Sequence, residues 1–133
     1  MQLGTFGAIM TFAMQLEEQG VTLYGPARPS LPEDARTTLL RGSRKRLKRL
    51  ERAKREGVAE MILEPISGLD DSDFHVEESG DAMETAMRFE ATCIRYYREA
   101  AEKLPILEIS RLFERMAEGN ESRIASLKEA ASP

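Results

Sequence analysis

A chain of 133 residues with 41% hydrophobic and 32% charged residues is sized for one domain with one core. Its formal net charge of −4 gives no global argument for nucleic acid or a membrane surface. Its single cysteine, Cys93, excludes an internal disulfide and a paired-thiol metal site, and a lone thiol points to a reducing cytoplasm. No apolar run is long enough to span a bilayer. The apolar stretch Met1 to Met14 lacks a basic lead and runs into an amphipathic pattern, so it reads as helix rather than as a leader.

Periodicity predicts four helices, at about 3–24, 31–56, 81–103 and 105–130, in one antiparallel all-α bundle over residues 1–133. The first carries Phe6, Ile9, Met10, Ala13, Leu16, Val21 and Tyr24 at helical spacing and stops at Gly25-Pro26. Ser30-Leu-Pro-Glu33 reads as a capping box opening the second, whose stripe is Leu39, Leu40, Leu47 and Leu50. Val58 to Ser79, with Pro65, Gly68 and an acidic run, reads as a crossover. Asp81 with Glu84 opens the third helix, which turns Met83, Ala86, Phe89, Cys93 and Tyr97 inward. Pro105 opens the fourth, with Ile109, Leu112, Phe113, Met116, Ile124 and Leu127 inward. Two short loops and one long crossover make two helix hairpins.

The two halves resemble each other. Ala13-Met14-Gln15-Leu16-Glu17 matches Ala86-Met87-Arg88-Phe89-Glu90 at an offset of 73, which also sets Tyr24 on Tyr97. In the second and fourth helices an offset of 77 sets Gly42-Ser43 on Gly119-Asn120, Arg46 on Arg123 and Leu50 on Leu127.

Polar residues on the inner stripe carry the site. Glu17 and Glu90 share the phase of their apolar neighbours, and so do Arg46 and Arg123, with Ser43 and Asn120 one turn earlier. Buried charges are costly unless paired. The expected pairs are Glu17–Arg46 and Glu90–Arg123, with Tyr24 and Tyr97 as hydrogen-bonding neighbours. The competing reading places these side chains at the stripe's edge, reaching water.

Glu-x6-Tyr in the first and third helices, within a duplicated hairpin with a long crossover, resembles the rubrerythrin branch of the ferritin-like superfamily over nearly the whole chain. The resemblance implies a four-helix bundle holding two iron ions. It places the ligands on a Glu of the first and third helices and a Glu-x-x-His of the second and fourth. Glu17 and Glu90 stand at the first of these positions. The other motifs have become Ser43-Arg-Lys-Arg46 and Asn120-Glu-Ser-Arg123, and Cys93 replaces a further glutamate. Arginine stays protonated and cannot ligate. The sequence therefore predicts a non-catalytic ferritin-like bundle, a binding or assembly module with no cofactor. The alternative is an iron-binding oxidoreductase or peroxidase with an atypical site around Glu17 and Glu90. A metal site drawn from Glu18, Glu121, His75 or Cys93 has no supporting spacing.

Nine basic residues lie between Arg41 and Arg55 against Glu51 alone, and Asp70 to Glu84 holds seven acids. The basic helix face suits an acidic protein partner. Without interleaved aromatics it argues against nucleic acid. Met61, Ile62 and Leu63 need cover, which points to a homodimer or larger homo-oligomer.

Overall fold

The computed structural model describes residues 1–26, 31–57, 65–78 and 80–132. Four α-helices pack on one another: α1, Phe6–Leu23; α2, Glu33–Gly57; α3, Ala82–Lys103; and α4, Leu107–Ala131. The expected cap at Ser30 and the apolar run at residues 61–63 lie outside the described residues.

Local chemistry sets the helix ends. The Thr5 hydroxyl accepts from the Ala8 N–H at 3.0 Å and starts α1 there, two to three residues later than periodicity suggests. Leu3 is buried but extended, because its N–H donates to the Leu69 carbonyl at 2.8 Å and Gln2 pairs with Asp70. Glu33 and Asp34 open α2 and Lys54 and Arg55 close it, charges that complement the helix dipole. The Asp81 carboxylate caps α3 through the Glu84 N–H at 2.7 Å. Pro105 lies outside α4, which begins at Leu107.

Contacts between elements fix the directions. The Phe6 ring, at the start of α1, lies against Gly57 at the end of α2, and Lys54 donates to Thr11 at 2.9 Å. These two helices are therefore antiparallel. Ser110 reaches the Ala101 carbonyl at 2.8 Å and Asn120 reaches Glu90 at 2.6 Å, so α3 and α4 are antiparallel too. The Tyr96 hydroxyl donates to the Ile9 carbonyl at 2.6 Å, and Tyr24 donates to Glu90 at 2.7 Å, which runs α1 against α3. By this geometry α2 and α3 are parallel, and the chain between them must traverse the bundle. Its described part, residues 65–78, runs along α1. Ile66 donates to the Gly4 carbonyl at 2.9 Å near one end, and Gln19 donates to the Val76 carbonyl at 3.3 Å near the other. A short 3-10 turn, Asp71–Phe74, drops Phe74 into the core.

The core is lined by Ile9, Met10, Ala13, Leu50, Phe89, Tyr97 and Phe113, all fully enclosed or nearly so. Several details depart from the expected stripes, and Val21 and Met83 are half-buried against the core rather than enclosed by it. Leu47 and Ile124 are only half-buried, since the inward phase of α2 and α4 falls on the arginines that precede them. Tyr96, absent from the expected stripe, is wholly buried. On α3 the buried arc is wide, because that helix packs against α4, α1 and the 3-10 turn together. Tyr96 fills the space between them, with ring centroids 5.2 Å from Phe74 and 4.9 Å from Phe12.

Candidate functional site

Each helix sends polar side chains into the bundle's centre. Glu17 from α1 and Glu90 from α3 are 1% and 0% exposed. Helical phase alone puts them there: each shares a face with an alanine one turn before it and a tyrosine seven residues after. Arg46 Nη1 stands 3.6 Å from Glu17 Oε2, and Arg123 Nη1 stands 3.5 Å from Glu90 Oε2. Both arginine side chains are about nine-tenths enclosed. At these separations the attraction is Coulombic rather than a directed hydrogen bond.

The directed bonds cross between the halves. Tyr24 of the first half donates to Glu90 Oε2 of the second at 2.7 Å. Tyr97 of the second half donates to Glu17 Oε2 of the first. Arg46 donates to Asn120 Oδ1 at 2.8 Å and to the Met116 carbonyl at 2.9 Å, and Arg123 donates to Ser43 Oγ at 3.3 Å. The Asn120 amide orientation follows from its partners. Arginine can only donate, so the amide oxygen faces Arg46 and the amide nitrogen faces Glu90 Oε1, at 2.6 Å.

Glycine makes the crossing sterically feasible. A Cβ on Gly119 would stand 2.5 Å from Arg46 Nη2, and one on Gly42 would stand 2.5 Å from Arg123 Nη2. Each guanidinium thus lies on the bare backbone of the opposing helix. The repeat Gly-polar-x-x-Arg supplies the arginine, the glycine that receives its counterpart and the polar side chain that binds it. The glycine match is visible in the sequence, but the pairing of α2 with α4 needed to read it is not.

The centre is not symmetric. Both Glu90 oxygens are hydrogen-bonded, whereas Glu17 Oε1 is buried with no hydrogen-bond partner among the described residues. The serine at position 43 is shorter than Asn120 and does not bond to Glu17. Burial raises the Glu17 pKa above its ordinary value, and Arg46, the Tyr97 hydroxyl and Arg123 offset only part of that rise. Burial also raises Tyr24 and Tyr97, with the neighbouring carboxylates adding to it. Cys93 is fully enclosed, and burial, followed by Glu17 and Glu90, pushes its thiol well above the ordinary range. A thiol so held is not a nucleophile.

These residues do not fit a pair of metal ions. Ser43 and Asn120 offer neutral oxygens that already accept from guanidinium groups, and a guanidinium stands within 3.6 Å of Glu17 and within 3.5 Å of Glu90. Among the described residues no three His, Cys, Asp or Glu side chains converge as a ligand set. Exposed His75 stands 4.0 Å from Glu77 on the crossover, away from the centre. Glu18 and Glu121 are exposed as well. None of the described helices is long and apolar enough to cross a membrane.

Protein-family models, curated protein sequences and solved structures yielded no match to this chain.

Proposed function

We propose that the chain is a non-catalytic binding or assembly module, a ferritin-like, rubrerythrin-related bundle in which arginine has taken the place of metal. The observation that carries this reading is the placement of Arg46 and Arg123 at 3.6 and 3.5 Å from Glu17 and Glu90. A fixed guanidinium supplies the positive charge that an ion would otherwise bring and occupies its space. It also cannot cycle between oxidation states, exchange ligands or accept a proton near neutral pH. The tyrosines and Asn120 use the remaining carboxylate capacity, leaving one oxygen of Glu17.

Protein purified from iron-replete cells, analysed for metals by mass spectrometry, should carry iron and manganese far below one ion per chain. Soaking it with ferrous iron under air should produce no oxidation faster than buffer. Stoichiometric iron or manganese that disappears in Glu17→Ala or Glu90→Ala would overturn the reading. It would establish instead an oxidoreductase site at the two glutamates, with Glu17 Oε1 as the free donor.

A further inference from the structure

The face between α2 and α4 is a groove of about 690 Å³, continued by a pocket of about 250 Å³ that shares Lys45, Arg49, Leu112 and Arg115 with it. This is the size range of sites for small molecules. Lys45, Lys48, Arg49 and Arg52 lie along one side of α2, with Lys45–Lys48 and Arg49–Arg52 three apart and Lys45–Arg49 and Lys48–Arg52 four apart. Arg111 and Arg115 face them from one side of α4. Glu56 and Glu108 are the only acids among the described lining residues. None of these six cations forms an ion pair or hydrogen bond with another described residue, although the chain as a whole is acidic.

Six cations against two acids around one concave space repel one another and focus a positive potential there. The helix that ends the groove adds to it: α4 starts at Leu107 with Ile106 as N-cap and no side-chain cap bond, so its first-turn N–H groups have no side-chain acceptor. Four of the six cations are arginines, whose planar fork matches phosphate oxygens in pairs. Among the described lining residues no aromatic side chain is present to stack on a base. The charges converge across a cleft instead of spreading over a convex surface, which favours a compact polyanion over a duplex or an acidic peptide helix.

We infer that the groove between α2 and α4 binds a small molecule bearing several linked or clustered phosphates. Ile106, Ile109 and Leu112 give it an apolar wall, so a phosphorylated molecule with a short carbon body fits as well as a bare oligophosphate chain. Arg46 lines the inner pocket and also faces Glu17, so the innermost phosphate would approach the guanidinium that balances the buried carboxyl. The inference goes beyond the proposed loss of metal chemistry and does not depend on it, because the six groove cations lie outside the charged centre and only Arg46 borders both.

The test is titration calorimetry of the whole chain with inorganic triphosphate at about 0.05 M and about 0.2 M salt. Sulfate, inositol hexakisphosphate, a polyglutamate peptide and a short DNA duplex serve as comparison ligands. Triphosphate or the inositol phosphate should bind at a single site at both salt concentrations, and sulfate more than about tenfold more weakly. The double variant Arg49→Ala/Arg115→Ala should weaken triphosphate about tenfold or more, while Arg41→Ala/Arg44→Ala, on α2 but outside the groove, should change it by less than about threefold. Amide NMR shifts of the unmutated protein give a second reading that needs no variant. On triphosphate addition they should move along α2 and α4 at the groove and not along the crossover. Which of triphosphate and the inositol phosphate binds more tightly separates a bare phosphate chain from a phosphorylated carbon framework. Several results would overturn the inference: no binding, equal loss in both double variants, shifts spread over the whole surface, or tighter binding of the peptide or the duplex. None of those results would alter the metal content that tests the proposed function.

Discussion

Arg46 of α2 lays its guanidinium where a side chain on Gly119 of α4 would begin, and Arg123 does the same to Gly42 in return. Glycine in a helix interior ordinarily costs about 1 kcal/mol relative to alanine. Here that cost is offset by hydrogen bonds from Arg46 to the Asn120 amide and the Met116 carbonyl, which require close approach.

That relationship predicts a change of sign. Gly119→Ala should destabilise the parent by about 1–2 kcal/mol, because displacing the guanidinium loses charge-assisted hydrogen bonds that outweigh the gain in helix propensity. In an Arg46→Ala background nothing occupies that space, and the same substitution should stabilise by about 0.5–1 kcal/mol. Urea denaturation of the four proteins checks it, and equal effects in both backgrounds would show that the close approach is not limiting.

The two polar residues at repeat-equivalent positions should differ in weight. Asn120 serves both Glu90 and Arg46, at 2.6 and 2.8 Å, whereas Ser43 accepts one longer contact from Arg123 at 3.3 Å. Asn120→Ala is expected to cost about 2–4 kcal/mol, since it strands a buried carboxylate oxygen and a guanidinium together. Ser43→Ala is expected to cost about 1 kcal/mol or less. Melting curves of the two variants decide the order, and comparable losses would contradict the asymmetry.

Glu17 makes stability depend on pH. Its folded pKa lies above the ordinary 4.5, so the folded state holds the proton more tightly than the unfolded chain. The resulting stabilisation is complete below about pH 4.5 and is lost as pH rises through the raised folded value. Glu17→Gln is neutral throughout. Relative to the parent it should therefore become steadily more stable above about pH 4.5, by up to about 1.4 kcal/mol per pH unit, until the parent's carboxyl has ionised. Denaturant midpoints of both proteins from acid to neutral pH provide the comparison. A gap independent of pH would mean that Arg46 and the Tyr97 hydroxyl offset burial completely, so that the carboxyl titrates alike in the folded and unfolded chain.

Cys93 should resist alkylation in the native protein. Its thiol is fully enclosed, and burial keeps it protonated. Iodoacetamide at neutral pH should label it only at the rate of unfolding, and readily in denaturant, as followed by intact mass. Rapid native labelling would place the thiol in an accessible, electropositive setting.

Much of this was legible in the residues because helical phase is a strong signal. Glu17, Glu90, Arg46 and Arg123 each fall on the buried phase of their helix, and position along a regular helix needs no tertiary information. What could not be read was which neighbour each would choose. Tyr24 and Tyr97 lie in phase with Glu17 and Glu90 on their own helices, yet they bond to the glutamate of the other half, because α1 and α3 run antiparallel. The start of α1 was obscured for a different reason. Leu3 is as apolar as a helical core residue, and only its backbone pairing with Leu69 keeps it extended. Leu47 and Ile124 carry the apolar character of core residues, but the arginines beside them take the inward phase.

The exchange of bonds between the halves bears on whether either could exist alone. A fragment ending after α2 would keep Glu17 and Arg46 but lose the phenol, the amide and the bare backbone that hold them; the complementary fragment would keep the Asn120 contact to Glu90 but lose a phenol, the Ser43 hydroxyl and the bare backbone at Gly42. Severing the chain within the crossover and mixing the pieces should therefore rebuild the centre only as a pair, and neither fragment should hold its buried charges in isolation.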